Sequence, residues 1–330
     1  MVMKESTIWA IVILLLIFVG IGISKWRSGN QIEGFDNVLS LTPAKFSCNI
    51  DHQKSQIGLS WFRSQRLIIC ALLRDSESTI HLVRRQSEAV GKLFADYTIL
   101  VVENDSHDNT RLKLLEWAKQ NQKVQVLGCE GVNLSSCSLR MDPTLIHDRA
   151  SGRIDKMVKL RNVYLDYIRS NPKLSSAQIA LIWDMDIQGS FYLDGLGLTG
   201  YYFKKGIDNK QIDAMCANGV ADVGDRIETG KYYDPYAHED IGQTRTFTTV
   251  DDIDPPACSL SPMHVRSCFN GFTFYRLPSI LARRYSLEKS GEKEAICEHV
   301  GVHRGMNIYL NPGMVYLMQY HDDDPWNVGF

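Results

Sequence analysis

Short apolar runs alternate with segments of helical spacing in the middle of the chain. Four runs, RLIICALL, DYTILVVE, KVQVLG and QIALIW, are continuous rather than alternating, which is typical of strands buried on both faces. The segments between the first three runs, and the segment before the fourth, place apolar residues at helical spacing, as at Ile80, Val83 and Val90. Strand and helix therefore alternate, which predicts an α/β fold with a mostly parallel sheet and flanking helices.

The chain after the fourth run has a different composition. From Gly195 to Pro262 it is rich in Gly, Asp, Tyr and Thr and lacks clear periodicity, which favours binding loops or a lid. The segment FNGFTFYRL, from Phe269, predicts a further strand with an Asn-Gly turn or bulge. The segment ICEHVGVHRGMNIYLNPGMVYL, from Ile296, closes the domain with a carboxylate, two imidazoles and a last strand.

An uncharged run from Ile8 to Ser24 predicts a membrane anchor. The run is somewhat short for an average span of ~20 residues, but its length suits the thinner bilayers of the early secretory pathway. A cleaved signal peptide is the alternative. Against it, the run lacks an Ala-x-Ala-like exit and continues into Lys25, Trp26 and Arg27, a flank typical of a membrane boundary. We therefore predict a retained signal-anchor.

The anchor divides the chain into predicted segments. Residues 1–7 form a short tail, 8–24 the anchor and 63–330 the folded domain. Residues 25–62 are polar, mixed and without periodicity, which predicts a stem or linker.

Charge and cysteine content bear on which side of the membrane the domain lies. Lys25 and Arg27 outweigh Lys4 beside Glu5, so the positive-inside rule alone places the C-terminal side in the cytosol. The eight cysteines form an even set, compatible with a lumenal domain without requiring disulfides.

Individual cysteines and sequons predict local features. Cys129 and Cys137 flank a short segment that they could close into a loop, whereas Cys70 lies within an apolar strand and is expected to pack. Asn133 begins a possible glycosylation sequon; Asn104 begins another, but in a suspected active-site turn where no glycan is expected.

Composition excludes one class of partner. The chain has 330 residues, 36 Lys and Arg against 38 Asp and Glu, and a net charge of −2. No basic patch or stripe dominates the chain, so it lacks the electrostatic requirement for binding a nucleic-acid backbone, and no nucleic-acid partner is expected.

The fourth apolar run ends on two carboxylates, Asp184 and Asp186. Side chains two apart in a strand point the same way, so these anions repel unless a cation lies between them. A hard divalent cation takes oxygen ligands and bridges to phosphates, which predicts Mn²⁺ or Mg²⁺ here. An Asp-x-Asp triplet is by itself a weak signal, but ligands bind beyond the carboxyl ends of parallel strands, where Asp75 and Glu103 are also predicted to lie.

The order of the motifs VVENDSHDNT, KMVKLRNVYLDY and LIWDMDI resembles that of glycosyltransferases of the GT-A fold. With ALLRDSES and the closing CEH and IYLNPG segments, the chain is most similar to the fungal capsule alpha-1,3-mannosyltransferase family and its relatives, over roughly residues 66–315. The resemblance implies one GT-A domain with a nucleotide-sugar-binding half at 63–190 and an acceptor-binding half at 191–330. It also implies a type II membrane protein of the ER or Golgi with a lumenal catalytic domain.

The resemblance implies a role for each acidic or polar position. Asp186 binds the metal, and Asp184 touches the metal or the ribose. Glu103 matches an acidic residue that accepts a hydrogen bond from the nucleotide base, although a solvated turn carboxylate is the alternative. Asp75 is a weaker candidate for the nucleotide site, because Arg74 could simply pair with it at the surface.

Basic residues and the closing segment complete the predicted site. Arg161 matches the arginine of the family's Arg-Asn element. On the same helix Arg153, Lys156 and Lys159 recur every third residue, and this cationic stripe could hold the diphosphate; for Lys156 alone a solvated helix face is favoured. His303 matches a late metal-ligating histidine, with a satisfied core histidine nearly as well supported. Glu298 is the candidate for contacting the acceptor hydroxyl or the donor sugar. It would act as general base if transfer inverts the configuration of the sugar, and as a positioning group if the configuration is retained.

The predicted function is metal-dependent transfer of a sugar from a nucleotide-sugar donor to a hydroxyl of a glycan, glycoprotein or glycolipid, with GDP-mannose as the leading donor. A nucleotidyltransferase is a second possibility, but the segment LLRDSEST lacks the glycines usual after the first strand of such enzymes. The third possibility is an inactive membrane-anchored binding domain on the same scaffold. The mutually repelling Asp184 and Asp186 argue against it, since an inactive domain would gain nothing from keeping the two carboxylates close together.

Overall fold

A computed structural model of the chain describes residues 48–128, 131–132, 151–185, 188–221, 230–242, 253–289 and 294–319. All of these belong to one compact unit. Across the described ranges, no helix has both the length and the apolar content needed to cross a membrane. The predicted anchor at 8–24, the Cys129–Cys137 loop, the sequon at Asn133 and the predicted metal ligand Asp186 lie outside these ranges.

Helices flank a large sheet. The helices are α1 (His52–Phe62), α2 (Ile80–Gly91), α3 (Thr110–Gln120), α4 (Ser151–Ser170), α5 (Pro172–Ser175), α6 (Leu193–Lys205), α7 (Leu277–Leu281) and α8 (Glu298–His303), with a 3₁₀ helix at Pro235–Ala237. The strands are β1 (Arg66–Leu73), β2 (Asp96–Glu103), β3 (Val124–Gly128), β4 (Gly131–Val132), β5 (Ile179–Trp183), β6 (Gln188–Phe191), β7 (Ala214–Ala221), β8 (Lys231–Tyr232), β9 (Glu239–Asp240), β10 (Met263–Ser267), β11 (Phe272–Arg276), β12 (Glu288–Lys289), β13 (Ala295–Ile296) and β14 (Ile308–Gln319).

The main sheet has the order β4-β3-β2-β1-β5-β11-β7-β14-β10-β9. Strands β3, β2, β1 and β5 are parallel neighbours. Strand β11 is antiparallel to both β5 and β7, so β7 and its parallel partner β14 run in the same direction as β1. The predicted α/β class with a mostly parallel sheet is confirmed, and the central runs are buried on both faces as their continuous apolar sequence predicts.

The strand order reverses at β1. The chain builds β2 and β3 on one side of β1 and then returns through α4 to place β5 on the other side. At such a switch point the helices lie on opposite faces, and a crevice opens outside the carboxyl ends of the strands. The loops after β1, β2 and β5 therefore border one crevice.

The end of the predicted linker belongs to the folded domain. Helix α1 packs closely against α6, where a Cβ added to Gly58 would lie 1.8 Å from the carbonyl oxygen of Gly197. Asp194 of α6 accepts a hydrogen bond from Ser55 at 2.8 Å. The linker prediction is therefore wrong for residues 48–62, because glycines and serine at a close helix contact give no apolar periodicity.

Two disulfides join distant parts of the described chain. One links Cys48, just before α1, to Cys258, and the other links Cys216 of β7 to Cys268. Cys70 is a buried free thiol within β1, as its apolar setting predicts.

Candidate active site

Asp184 directly follows β5 at the switch point. Its backbone N–H donates to the carbonyl of Gly271 at 2.8 Å, which fixes the end of β5 against β11. Its carboxylate oxygen Oδ1 accepts from Nη2 of Arg161 at 3.2 Å. Burial raises the pKa of Asp184, while the Arg161 cation opposes that rise and the Glu298 carboxylate adds to it.

Arg161 joins two carboxylates from distant parts of the chain. It projects from α4, and its Nε donates to Oε1 of Glu298, the first residue of α8, at 2.8 Å. Arg161 and Glu298 are 2% and 4% exposed, so this ion pair is shielded from solvent. The guanidinium carbon also lies 5.2 Å from the ring centre of Phe269. Burial lowers the pKa of Arg161, whereas interactions with Asp184, Tyr164 and Glu298 raise it. The second effect is larger, so the pKa of Arg161 lies well above its usual value.

The structure places the predicted site residues Asp184, Arg161 and Glu298 in contact, with partners that differ from the expected ones. Arg161 was predicted to face a diphosphate, whereas here its guanidinium is held by two carboxylates. Glu298 was predicted to face the acceptor, whereas its Oε1 is bonded to Arg161.

Asp234 is a further acidic residue near this group that the sequence analysis missed. It precedes the 3₁₀ helix, and its Oδ1 accepts from the N–H of Ala237 at 3.2 Å. Burial raises the pKa of Asp234 to about 7, and the charge of Asp184 adds to that rise. The only signal in the sequence was an Asp-Pro pair typical of a helix start, inside a segment without periodicity.

Carboxylates outnumber cations around Arg161. Asp184, Glu298 and Asp234 act on one another electrostatically, with Arg161 as their shared buried cation and Arg153 acting on Asp184. Within the described ranges no three His, Cys, Asp or Glu side chains are grouped closely enough to hold a metal ion. The excess of carboxylates fits a divalent cation, for which Asp184 is the candidate ligand among the described residues; the predicted ligand Asp186 lies outside them.

His303 lies in the core on the far side of α8. It is fully buried, with Nδ1 2.9 Å from Oγ of Ser267 and Nε2 2.7 Å from the hydroxyl of Tyr275. Burial lowers the pKa of His303 to about 3. Both ring nitrogens thus have partners, and binding a metal as predicted would require one of these hydrogen bonds to break.

Asp75 joins the loops after β1 and β2, and Glu103 fixes the loop after β2. Oδ1 of Asp75 accepts from the N–H of His107 at 2.6 Å, and the N–H of Asp75 donates to Ser106 at 3.2 Å. Glu103 is 1% exposed and accepts from the N–H of Ser106 at 3.0 Å and from Arg111 at 2.7 Å. Glu103 is therefore not the solvated turn carboxylate of the alternative interpretation.

Lys156 is a largely buried cation beside these loops. It is 9% exposed and has no hydrogen bond or ion pair with any described residue. Burial lowers its pKa and nearby Arg74 adds to the effect, while Asp105 and Asp75 oppose it. Oδ2 of Asp105 is also buried without a hydrogen-bond partner among the described residues. The solvated helix face favoured for Lys156 is wrong, because the side chain of Lys156 turns inward.

Lys159, one turn further along α4, provides the contrast. Its side chain is 55% exposed and pairs with Asp155 at 2.6 Å. The predicted basic stripe is therefore divided: Lys159 faces solvent, whereas Lys156 is largely buried and has no ion pair with a described residue.

No protein-family model and no curated protein matches the chain. Among solved structures, it is similar to S. aureus TarS 1-349, with 15% sequence identity, coverage of 76% of this chain and 60% of that chain, and a TM-score of 0.41. It is also similar to the mannosyltransferase PcManGT from Pyrobaculum calidifontis in complex with GDP-Man and Mn²⁺, with 9% identity, coverage of 83% and 64%, and a TM-score of 0.45.

A third similar structure is GalNAc-T7 with UDP, GalNAc and Mn²⁺, with 10% identity, coverage of 78% of this chain and 44% of that chain, and a TM-score of 0.45. The chain spans less than two thirds of the length of each of these three structures. With TM-scores below 0.5, the similarities do not assign an activity. The resemblance to the fungal capsule mannosyltransferases remains a prediction.

Proposed function

We propose that the chain is a metal-dependent glycosyltransferase that uses a nucleotide-sugar donor. The observation that supports this most strongly is Lys156, a nearly buried cation with no ion pair to any described residue, beside the loops that follow β1 and β2. Around Asp184, the carboxylates Asp184, Glu298 and Asp234 outnumber the two cations that act on them, Arg161 and Arg153. A site that needs an anion at one end and a cation at the other suits a diphosphate bound together with a divalent metal.

Asp184 and Asp186 are the proposed ligands of Mn²⁺ or Mg²⁺. The bound metal would stabilise the negative charge that develops on the diphosphate leaving group. Lys156 would donate to the diphosphate oxygens and so gain the anionic partner that it lacks among the described residues. Arg161 would hold the Asp184 carboxylate in place and add positive charge beside the leaving group.

The crosslinked loops after β1 and β2 form the proposed nucleoside pocket. Asp75 and Glu103 give these loops a fixed shape, which lowers the entropy cost of binding a nucleoside. Each carboxylate oxygen accepts more than one hydrogen bond, so Glu103 keeps capacity for a base N–H while bonded to Arg111. Guanine and uracil offer such donors, and the leading donor, GDP-mannose, follows from the family resemblance rather than from these contacts.

Glu298 and Asp234 lie on the acceptor-binding half of the proposed site. The pairing of Glu298 with Arg161 favours a role in positioning the donor sugar, whereas Asp234 is free of any such ion pair among the described residues. The proposed acceptor is a hydroxyl of a glycan, glycoprotein or glycolipid.

The proposed location is the ER or Golgi, with a type II anchor at 8–24 and a lumenal domain. The disulfides Cys48–Cys258 and Cys216–Cys268 support it, since disulfides are rare in the reducing cytosol. They weigh against the orientation that Lys25 and Arg27 favour. Protease protection of the domain in sealed microsomes tests the proposal, and digestion without detergent would contradict it.

Calorimetry with GDP, UDP and ADP in the presence of Mg²⁺ tests the nucleotide site in the full-length chain. We expect one of the first two to bind, chelation with EDTA to weaken that binding, and Asp186→Ala to remove the metal effect without unfolding the protein. Equal affinity with Mg²⁺ and with EDTA would contradict the metal assignment. Absence of binding by all three would contradict the nucleotide-sugar site.

A further inference from the structure

His299 is a buried imidazole without a hydrogen bond. It is 1% exposed, and neither ring nitrogen has a hydrogen-bond partner among the described residues. Its ring stacks on Phe269 with centroids 3.7 Å apart and meets Tyr285 edge-on at 5.5 Å. A buried polar group left unpaired costs about 1–3 kcal/mol. Phenylalanine would stack at this position without that cost, so packing alone does not account for a histidine.

The carboxylate of Glu298 lies close to the His299 ring. Nε2 of His299 lies 3.8 Å from Oε1 of Glu298, about 1 Å longer than an ordinary N–H···O bond. The same oxygen accepts from Nε of Arg161 at 2.8 Å. Burial, with the charge of Arg161, keeps the pKa of His299 well below its usual value. A neutral imidazole protonated at Nε2 can donate one hydrogen bond to the carboxylate without any change of charge.

A bound sugar nucleotide would compete for Arg161 with the two carboxylates that already bond to it. Asp184 and Glu298 both bond to it, and a diphosphate bound beside Asp184 offers a guanidinium a bidentate anionic partner. If Arg161 turned to the diphosphate with no replacement, Glu298 would remain as a buried, unpaired charge at a cost of about 3–5 kcal/mol.

We propose that His299 is a positioning residue that takes over the Glu298 carboxylate when Arg161 turns towards the diphosphate of the donor. A shift of about 1 Å between Glu298 and Nε2 completes the new hydrogen bond. Glu298 then accepts a hydrogen bond both before and after the sugar nucleotide binds, so its carboxylate stays fixed in the site. The inference rests on the proposed function, because it needs a diphosphate in the crevice.

Two substitutions separate this role from packing. His299→Phe keeps the stacking on Phe269 but removes the ring N–H that would donate to Glu298. His299→Gln loses the ring but keeps an amide N–H at a similar reach. With a donor that the wild type turns over, we expect kcat to fall by about 10- to 100-fold in the Phe variant and by only a few-fold in the Gln variant. The KM for the donor should change by no more than a few-fold in both. A packing role predicts the opposite order, and that order would overturn the proposal.

A measurement on the wild type removes any dependence on how the variants fold. In protein labelled with ¹⁵N-histidine, the Nε2–H proton of His299 should move downfield when GDP or UDP binds with Mg²⁺, as its hydrogen bond to Glu298 forms. The resonance is assigned by its loss in the Gln variant. Nucleotide binding with an unmoved resonance would overturn the positioning role alone. Absence of nucleotide binding would overturn the proposed function, and this inference with it.

Discussion

Nε of Arg161 lies 2.8 Å from Oε1 of Glu298, although 137 positions separate the two residues in the chain. This buried contact ties α4 to α8, and Asp184 shares the same guanidinium. The three side chains therefore depend on one another for both stability and orientation.

The first prediction concerns this network. Arg161→Met leaves two carboxylates unpaired and should lower the free energy of unfolding by about 3–5 kcal/mol. Glu298→Gln should cost less, because Arg161 keeps Asp184. In urea unfolding, the double variant should lose about 0.5–3 kcal/mol less than the sum of the single losses. Lys159→Met, on the solvent face of the same helix, should change stability by about 1 kcal/mol at most. Additive losses in the double variant would mean that the pair does not act as a unit.

The second prediction compares two lysines of α4. Lys156→Met removes a nearly buried charge that has no ion pair with a described residue, so the free protein should be as stable as the wild type or more stable. The same change should weaken binding of the nucleoside diphosphate with Mg²⁺ by about 10-fold or more, since hydrogen bonds to charged groups contribute about 1.5–3 kcal/mol. Lys159→Met should leave the affinity unchanged. Calorimetry and thermal unfolding check the two effects, and similar affinities for both variants would remove Lys156 from the site.

The third prediction concerns Asp234 and pH. Its pKa in the folded protein is about 7, against 3.8 for an unperturbed aspartate. The folded state therefore holds the proton more tightly, and this residue makes the protein less stable as pH rises from 3.8 through 7. Asp234→Asn keeps a side-chain oxygen for the N–H of Ala237 and cannot ionise. In EDTA at pH 8 the variant should be more stable than the wild type by about 1–2 kcal/mol, an amount reduced by partial solvent exposure.

The comparison at pH 5 is the control for Asp234. There the wild-type carboxyl is mostly protonated in the folded protein, so the advantage of Asp234→Asn should be much smaller than at pH 8. Thermal unfolding at the two pH values gives both numbers. An equal difference at pH 5 and pH 8 would show that the charge of Asp234 is not the cause.

The sheet and the central acidic position could be predicted from the sequence because their signals are local. Continuous apolar runs mark β1, β2, β3 and β5, and the charge that ends β5 marks Asp184. The inward turn of Lys156 could not be predicted, because spacing along α4 groups it with Lys159, and only tertiary packing distinguishes them. Asp234 and the glycine contact of α1 were missed for a related reason: both depend on segments brought together from distant parts of the sequence.

Turnover of sugar nucleotides by the purified full-length chain tests the central claim most directly. The chain should be kept intact on the N-terminal side of Cys48, since α1 and the Cys48–Cys258 disulfide belong to the domain. With Mn²⁺ and a panel of sugar nucleotides that includes GDP-mannose, we expect one donor to release its nucleoside diphosphate. EDTA and Asp186→Ala should each abolish that release. Failure of every donor in a folded, metal-supplemented protein, or full activity of Asp186→Ala in EDTA, would contradict the assignment as a metal-dependent glycosyltransferase.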